Sequence, residues 1–272
     1  MTINIKKTMD YAPGDGLKLT GVADGHTMLL RTAPEQALEV GVAPSILSTG
    51  LVLHYDLNNS SCYSGSGTTV TDLKGSSNAS LVNGVTYESN PGRLVFNGSN
   101  QYLLTSTSLQ TRVPGDTTTI SMWAYPMDNG VLLDELGVSQ IPPNGIWHDA
   151  QMEMVSGVMK FSMWNHGSGI ITSTVSTPLN AWYNFTLIYS AATSTMSAYV
   201  NGTLAGSVGR SRESPVENGR GLFYGIANAD STQMGDGSYA SMKLGMFMVY
   251  NVALSAEQVQ YNWNVTKGRF GL

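Results

Sequence analysis

The sequence predicts an all-β fold: a two-sheet antiparallel jelly-roll sandwich with an extended N-terminal arm and a short C-terminal helix. Three observations lead there. Runs such as "TISMWAY", "VMKFSMW", "WYNFTLIYS", "TMSAYV" and "KLGMFMVY" are rich in β-branched, aromatic and methionine residues. Asn-Gly pairs recur between the runs, and both central positions of a type I′ turn need the positive φ that Asn and Gly adopt at low cost. Charged residues make up only 12% of the 272 residues, with Ser, Thr, Asn and Gly in their place, a mixture that suits strands and tight turns better than helices.

Residues 1–48 come first. "YAPGDGLKLTGVADGHTMLLRTAPEQALEVGVAPS" mixes short apolar pairs with Pro and Gly. No period lasts long enough to bury a face, so the segment reads as an extended arm with short strands, disordered or lying against something else.

The domain of residues 49–272 follows. Tyr183, Phe185, Leu187 and Tyr189 share one face of their run, and Leu244, Met246, Met248 and Tyr250 share one face of theirs. Period-two patterning of this kind sends alternate side chains into a core between sheets. The turn pairs are Asn83-Gly84, Asn97-Gly98, Asn129-Gly130, Asn144-Gly145, Asn201-Gly202 and Asn218-Gly219. The pair at Asn201 is the firmest hairpin, because "SAYV" precedes it and "TLAGSV" follows. Fourteen methionines suit a plastic core. Trp123, Trp164 and Trp182 sit in strand-like runs and belong to that core, where a buried indole needs a partner for its N–H.

The chain closes on "LSAEQVQYNWNVTKGRFGL". Ser255 caps a helix, Gln258 three residues on completes a capping box, and Leu254 before the cap packs on Val259 as a hydrophobic staple. Val259 and Trp263 share a face. A helix this short is marginal alone, so it must dock on the sandwich, pin the last strand and cover an end of the core.

Composition also excludes. The net charge is −5 with no basic stripe, which argues against a nucleic-acid partner. A single cysteine, Cys62, rules out a disulfide framework within the chain and reads as an inert thiol. "MTINIKK" leads into no apolar stretch, so no secretory signal is expected, and no run reaches membrane-spanning length. The Asn-X-Ser/Thr triplets at Asn78, Asn97, Asn184, Asn201 and Asn264 then read as Asn in turns.

The motifs from about Gly50 onward also resemble, in order, those of concanavalin A-like, laminin-G-like jelly rolls. "GLVLHYDL" looks like the opening strand. "VTDLKGSSNASLVNG" is similar to the family's Asp-x-Ser-Gly-Asn-Gly stretch, with Lys74 and Ser77 as departures. "LVFNGSNQYL" carries Asn97 where aspartate is common. "AYVNGTLAG" matches the Tyr-Val-Asn-Gly hairpin, and "GMFMVYNVALSAEQVQYNWNVTKGRFGL" the strand followed by a Leu-Ser-x-x-Glu/Gln helix. The Arg-Phe-Gly-Leu ending resembles those of phage and marine bacterial structural proteins. The resemblance implies sugar or cell-surface binding often, catalysis sometimes and structural display in other members; the fold alone does not choose among them.

Glycoside hydrolases place two carboxylates across the scissile bond. The Glu-x-Asp-x-x-Glu run of the fold's hydrolases is absent here. Asp134 and Glu135 are adjacent and so face opposite sides of a strand, whereas Asp149 and Glu153 would share a face on a regular one. His26, His54, His148 and His166 form no i,i+4 pair, so a zinc site is not expected.

Loops on a rigid sandwich carry function. Trp147, His148 and Asp149 follow Pro142 and Pro143 and are expected in a loop that contacts sugar. "NADSTQMGDGSY" offers Tyr239 for the same ligand and Asp230 and Asp236 as calcium ligands. The expected function is a non-enzymatic structural protein at the surface of a phage virion: a fibre, spike or head decoration made in the host cytoplasm. Its arm would meet other virion proteins, its jelly roll would bind host-surface glycan, and it would form a homo-oligomer. The alternatives are a bacterial carbohydrate-binding module and, third, a glycoside hydrolase of the same fold.

Overall fold

The computed structural model describes residues 27–32, 36–41, 45–113, 116–137, 148–163, 169–209, 221–228, 234 and 238–272. The chain divides into two compact units, Met1–Ser45 and Ile46–Leu272. In the first, β1 (Thr27–Thr32) and β2 (Gln36–Gly41) pair antiparallel, with Thr27 opposite Gly41 and Thr32 opposite Gln36.

The second unit is a sandwich of two antiparallel sheets. The helix-side sheet contains β3 (Leu51–Asp56), β6 (Thr86–Ser89), β7 (Gly92–Asn97), β9 (Thr118–Pro126), β14 (Tyr183–Ser190), β15 (Thr195–Val200), β16 (Thr203–Gly209) and β18 (Ser241–Tyr250). Its order is β16-β15-β14-β9-β18-β7-β6, and β3 continues beside β18 where β7 ends. The opposite sheet runs β13-β12-β11-β10-β17-β8-β5-β4. Its strands are β4 (Thr69–Val70), β5 (Ala79–Val82), β8 (Tyr102–Thr105), β10 (Gly130–Leu136), β11 (His148–Val155), β12 (Val158–Phe161), β13 (Ile171–Thr172) and β17 (Phe223–Ile226).

Alternation builds the core as expected in β14, where Tyr183, Phe185, Leu187 and Tyr189 all face inward with Leu53, Tyr55, Phe96, Met122, Met154 and Phe161. Burying each such large side chain contributes about 1.5–3 kcal/mol. In β18 the alternation breaks. Leu244 pairs with Ala124 but Met246 pairs with Trp123, so Gly245 is an extra residue. A β-bulge inverts the faces beyond it: Leu244, Phe247 and Val249 enter the main core, while Met246, Met248 and Tyr250 face outward. The single face expected for Leu244 and the three later residues is corrected accordingly.

The turns divide by task. Asn201 (φ 51°) and Gly202 (φ 75°) close the β15–β16 hairpin in the type I′ sense. Asn83 and Gly84 share that positive-φ geometry but carry the chain from β5 to β6, across to the other sheet. Asn97-Gly98 and Asn129-Gly130 also sit at crossings between sheets. A hairpin that the Asn-Gly pattern misses lies at Ser156 (φ 51°) and Gly157 (φ 75°), between β11 and β12.

Helix α1 (Ala256–Thr266) forms as its caps predict. The Gln258 N–H donates to Ser255 Oγ, and the Ser255 N–H donates to Gln258 Oε1. Leu254 and Val259 are buried together. The helix covers the outer face of its sheet rather than an end of the main core, closing a second cluster of Leu51, Trp123, Ile188, Tyr199, Met246, Met248 and Tyr250. Trp123 finds its partner here, its indole N–H donating to Thr266 Oγ1 at 2.9 Å. Asn262 accepts from the Leu47 N–H at 2.9 Å and donates to the Tyr250 hydroxyl at 3.0 Å. The helix thereby ties the start of the unit to its last strand. The residues after the helix are pinned too: Phe270 stacks on Trp123 with centroids 4.2 Å apart, and Arg269 grips both oxygens of Asp56 at 3.0 and 2.6 Å. Among the described residues no helix is long and apolar enough to cross a membrane.

Candidate functional site

With α1 over one outer face, the outer face of the opposite sheet is the remaining broad surface of the sandwich. Cross-strand register builds a row across it: Thr69, Ser80, Leu104, Gly225, Asp134 and Ala150. A neighbouring row holds Val131, Glu153, Lys160 and Thr172. The β4–β5–β8 half is open, with Thr69 and Ser80 exposed and Leu104 half-buried. The β10–β11–β12 half is closed by Met234 and Ile170, which pack on Val131 and Ala150.

Beneath that cover lie polar side chains. Asp134 and Glu153 are each 0% exposed and Asn228 1%. On the inward side of the same strands, where Glu135 stands opposite the core residue Tyr224, the Gln151 amide donates to the Glu135 carboxylate. Lys160 stands opposite Glu153, its ammonium donating to the Met234 carbonyl at 3.2 Å. Asn228 folds over Gly225, where an added Cβ would come within 3.0 Å of its amide nitrogen. Gly225 is thus the gap that admits this amide beside Asp134. Carboxylates are stable out of water only when neighbours supply compensating hydrogen bonds or charge, so this half of the face is a packed polar layer.

Two bulges set the layer. Leu133 pairs with Met152 and Asp134 with Ala150, making Gln151 an extra residue on β11; Leu132 is extra on β10. The period-two link between positions 149 and 153 is thereby broken, and the pairing expected for Asp149 and Glu153 on a regular strand does not apply. Instead Asp134 and Glu153, on neighbouring strands, share the outer face. Sequence spacing misses this pair because it depends on which strand lies beside which.

The other expected site residues fall as follows. His148 and Asp149 begin β11, paired with Leu136 and Glu135, and are corrected from loop to strand: the alternation that starts at His148 outweighs the Pro142-Pro143 signal before it. Trp147, Asp230 and Asp236 lie outside the described residues, as does Trp164. Tyr239 is half-buried and forms a parallel bridge with Val131, at the margin of the covered layer. Among the described residues no group of three His, Cys, Asp or Glu side chains converges to hold a metal ion.

The "DLKGSSN" stretch is a structural knot. Asp72, 4% exposed, accepts the N–H groups of His54, Lys74, Ser76 and Ser77 at 2.8, 2.9, 2.6 and 3.1 Å. Asn78 Oδ1 accepts the Asp72 N–H at 3.0 Å. The carboxylate replaces water for a whole turn of backbone, which fixes its position without any ligand.

Comparison with known proteins follows this architecture. A Trypanosoma rangeli sialidase in complex with 2,3-difluorosialic acid (covalent intermediate) superposes with a TM-score of 0.58 at 15% identity, over 90% of this chain and 36% of that one. The binding domain of botulinum neurotoxin DC in complex with SialylT gives 0.55 at 13% identity, over 79% and 51%. A structure of botulinum neurotoxin type C, whose cell entry depends on interaction with two ganglioside molecules, gives 0.52 at 14% identity, over 79% and 51%. The chain therefore spans about a third to a half of the length of these neighbours, and at such identities the likeness is one of fold. Comparison with curated protein sequences gives no match. The model of the concanavalin A-like lectin/glucanases superfamily, however, matches residues 96–260. Its span runs from Phe96 in β7 through the hairpin at Asn201 and the bulged β18 into α1, and the chain belongs to the concanavalin A-like lectin/glucanase superfamily.

Proposed function

We propose that the chain is a non-enzymatic display protein of a phage particle whose sandwich recognises surface glycans. One observation carries the non-enzymatic part: the two carboxylates that share the outer face, Asp134 and Glu153, are fully buried beneath Met234 and Ile170. An acid–base pair must reach both sides of a glycosidic bond, and a packed layer offers substrate no such approach. Glycan recognition draws support from the family, from a neighbouring toxin binding domain in complex with SialylT and from a neighbouring toxin whose cell entry depends on two ganglioside molecules. The virion setting rests on the phage-like ending of the sequence and on a separate N-terminal unit. A glycan array probed with the full chain, with and without calcium, tests recognition; binding to at least one glycan class is expected, and silence across the array overturns it.

A second reading is a glycoside hydrolase, favoured by the shared face of Asp134 and Glu153. Incubation with β-glucans and sialosides followed by reducing-end measurement is expected to give no turnover. Turnover abolished by Glu153→Gln would establish the hydrolase instead.

A further inference from the structure

The outer face of the helix-side sheet carries a row of rings that runs past the C-terminal tail. Trp123 stacks on Phe270; Phe270 meets Trp182 at 4.8 Å, and Trp182 meets Tyr125 edge-on at 5.6 Å. Trp123 is fully buried, while Phe270, Trp182 and Tyr125 are half-buried. The buried end holds the tail, with Phe270 lying over Gly245, where an added Cβ would come within 2.4 Å of its ring. The other end is different. Lys243 stands opposite Tyr125 in register, its ammonium 5.7 Å from the ring centroid. Its amine also reaches both oxygens of Glu88 at 3.1 and 3.2 Å, and Glu88 is shared with Arg93. Arg269 and Asp56 close the tail side.

We infer that this open end, formed by Tyr125, Trp182 and Lys243, is the platform on which the sandwich takes a carboxylated sugar. The inference rests on the glycan-recognition reading above and names both the place and the ligand class. Half-exposed rings offer apolar surface to the C–H face of a pyranose, while polar groups at their edge fix its orientation. The indole N–H of Trp182 has no hydrogen-bond partner among the described residues and is available to a hydroxyl. Charge selects the acid. Lys243, Arg93 and Arg269 face two carboxylates, Glu88 and Asp56, a local positive excess on a chain of net charge −5. Glu88 leaves donors over, because an ammonium carries three and a guanidinium five, and a ligand carboxylate would form charge-assisted bonds with them.

Titration of the full chain with 3′-sialyllactose, tri-galacturonate and lactose, read by tryptophan fluorescence, tests this. At least one acidic sugar is expected to bind about tenfold or more tighter than lactose. Lys243→Gln should remove most of that preference, and Tyr125→Ala should abolish binding; both variants should keep the wild-type circular dichroism spectrum. Trp182 is left intact because it also supports Phe270. Equal affinity for lactose and the acidic sugars overturns the inference. So does acidic-sugar binding that both variants leave unchanged, which moves recognition elsewhere on the sandwich and leaves the proposed function standing. Failure of every sugar here and across the array overturns both.

Discussion

Asp72 shows how much of this fold hangs on single side chains. Four backbone N–H groups converge on its carboxylate at a nearly closed site, so Asp72→Ala leaves several donors without a partner. It is expected to destabilise the chain by about 2–4 kcal/mol, read as a lower urea midpoint. Cys62 is the opposite case: burial pushes its thiol up to about 12, and it packs inside the main core. The native chain should react with a thiol reagent at pH 8 far more slowly than the urea-unfolded chain, because the thiolate is scarce and screened. His54 supplies a pH dependence. Its imidazole sits below the ordinary value of 6.5 chiefly because burial disfavours the charged form; Asp56 and Asp72 pull it up, and Arg269 and Lys74 push it further down. Its Nε2 has no hydrogen-bond partner among the described residues. Below about pH 6.5 the unfolded chain therefore binds more protons than the folded one, and stability falls with pH until the folded imidazole titrates. Thermal melts at pH 7.5 and pH 5 should show this fall, and His54→Gln should flatten it; an unchanged slope would remove His54 as the cause.

At the scale of elements, the terminal helix is held by packing as much as by its caps. Phe270→Ala is expected to cost about 2–3 kcal/mol and to loosen the tail, and Gly245→Ala to do the same from beneath by displacing the ring, both read as increased hydrogen exchange in α1. What could be read in the sequence follows the range of the forces. The capping box at Ser255 and Gln258, the staple of Leu254 on Val259 and the turn at Asn201 depend on residues a few positions apart, so spacing alone reveals them. Bulges do not. Gly245, Leu132 and Gln151 become extra residues only because of the strand beside them, and each inverts the faces that alternation predicts. That is why the inward face of β14 was legible but the β18 pattern divided, and why Asp134 and Glu153 come together unannounced. His148 and Asp149 mark a boundary error of the usual sort, a strand beginning where Pro and Gly suggested a loop.

For the molecule as a whole, the two outer faces are unlike. One is sealed by α1 and edged by the ring-and-cation row; the other is half open and half a packed polar layer. A sandwich of this kind presents surfaces and loops, and Asp72, Asp134, Glu135 and Glu153 are buried within it. Expression of residues 46–272 alone should give a folded, cooperative unit, since its core and second cluster draw on residues from Ile46 onward. The full chain should be the larger species in light scattering if residues 1–45 carry the assembly contacts, and equal oligomeric states for the two would remove that role. The central claim, a surface that binds glycan without cleaving it, is tested most directly by saturation-transfer NMR on the full chain with a sialylated glycan followed over a day. The account predicts saturation passed to the sugar protons with constant anomeric signals; new reducing-end resonances, or no transfer to any glycan tried, would contradict it.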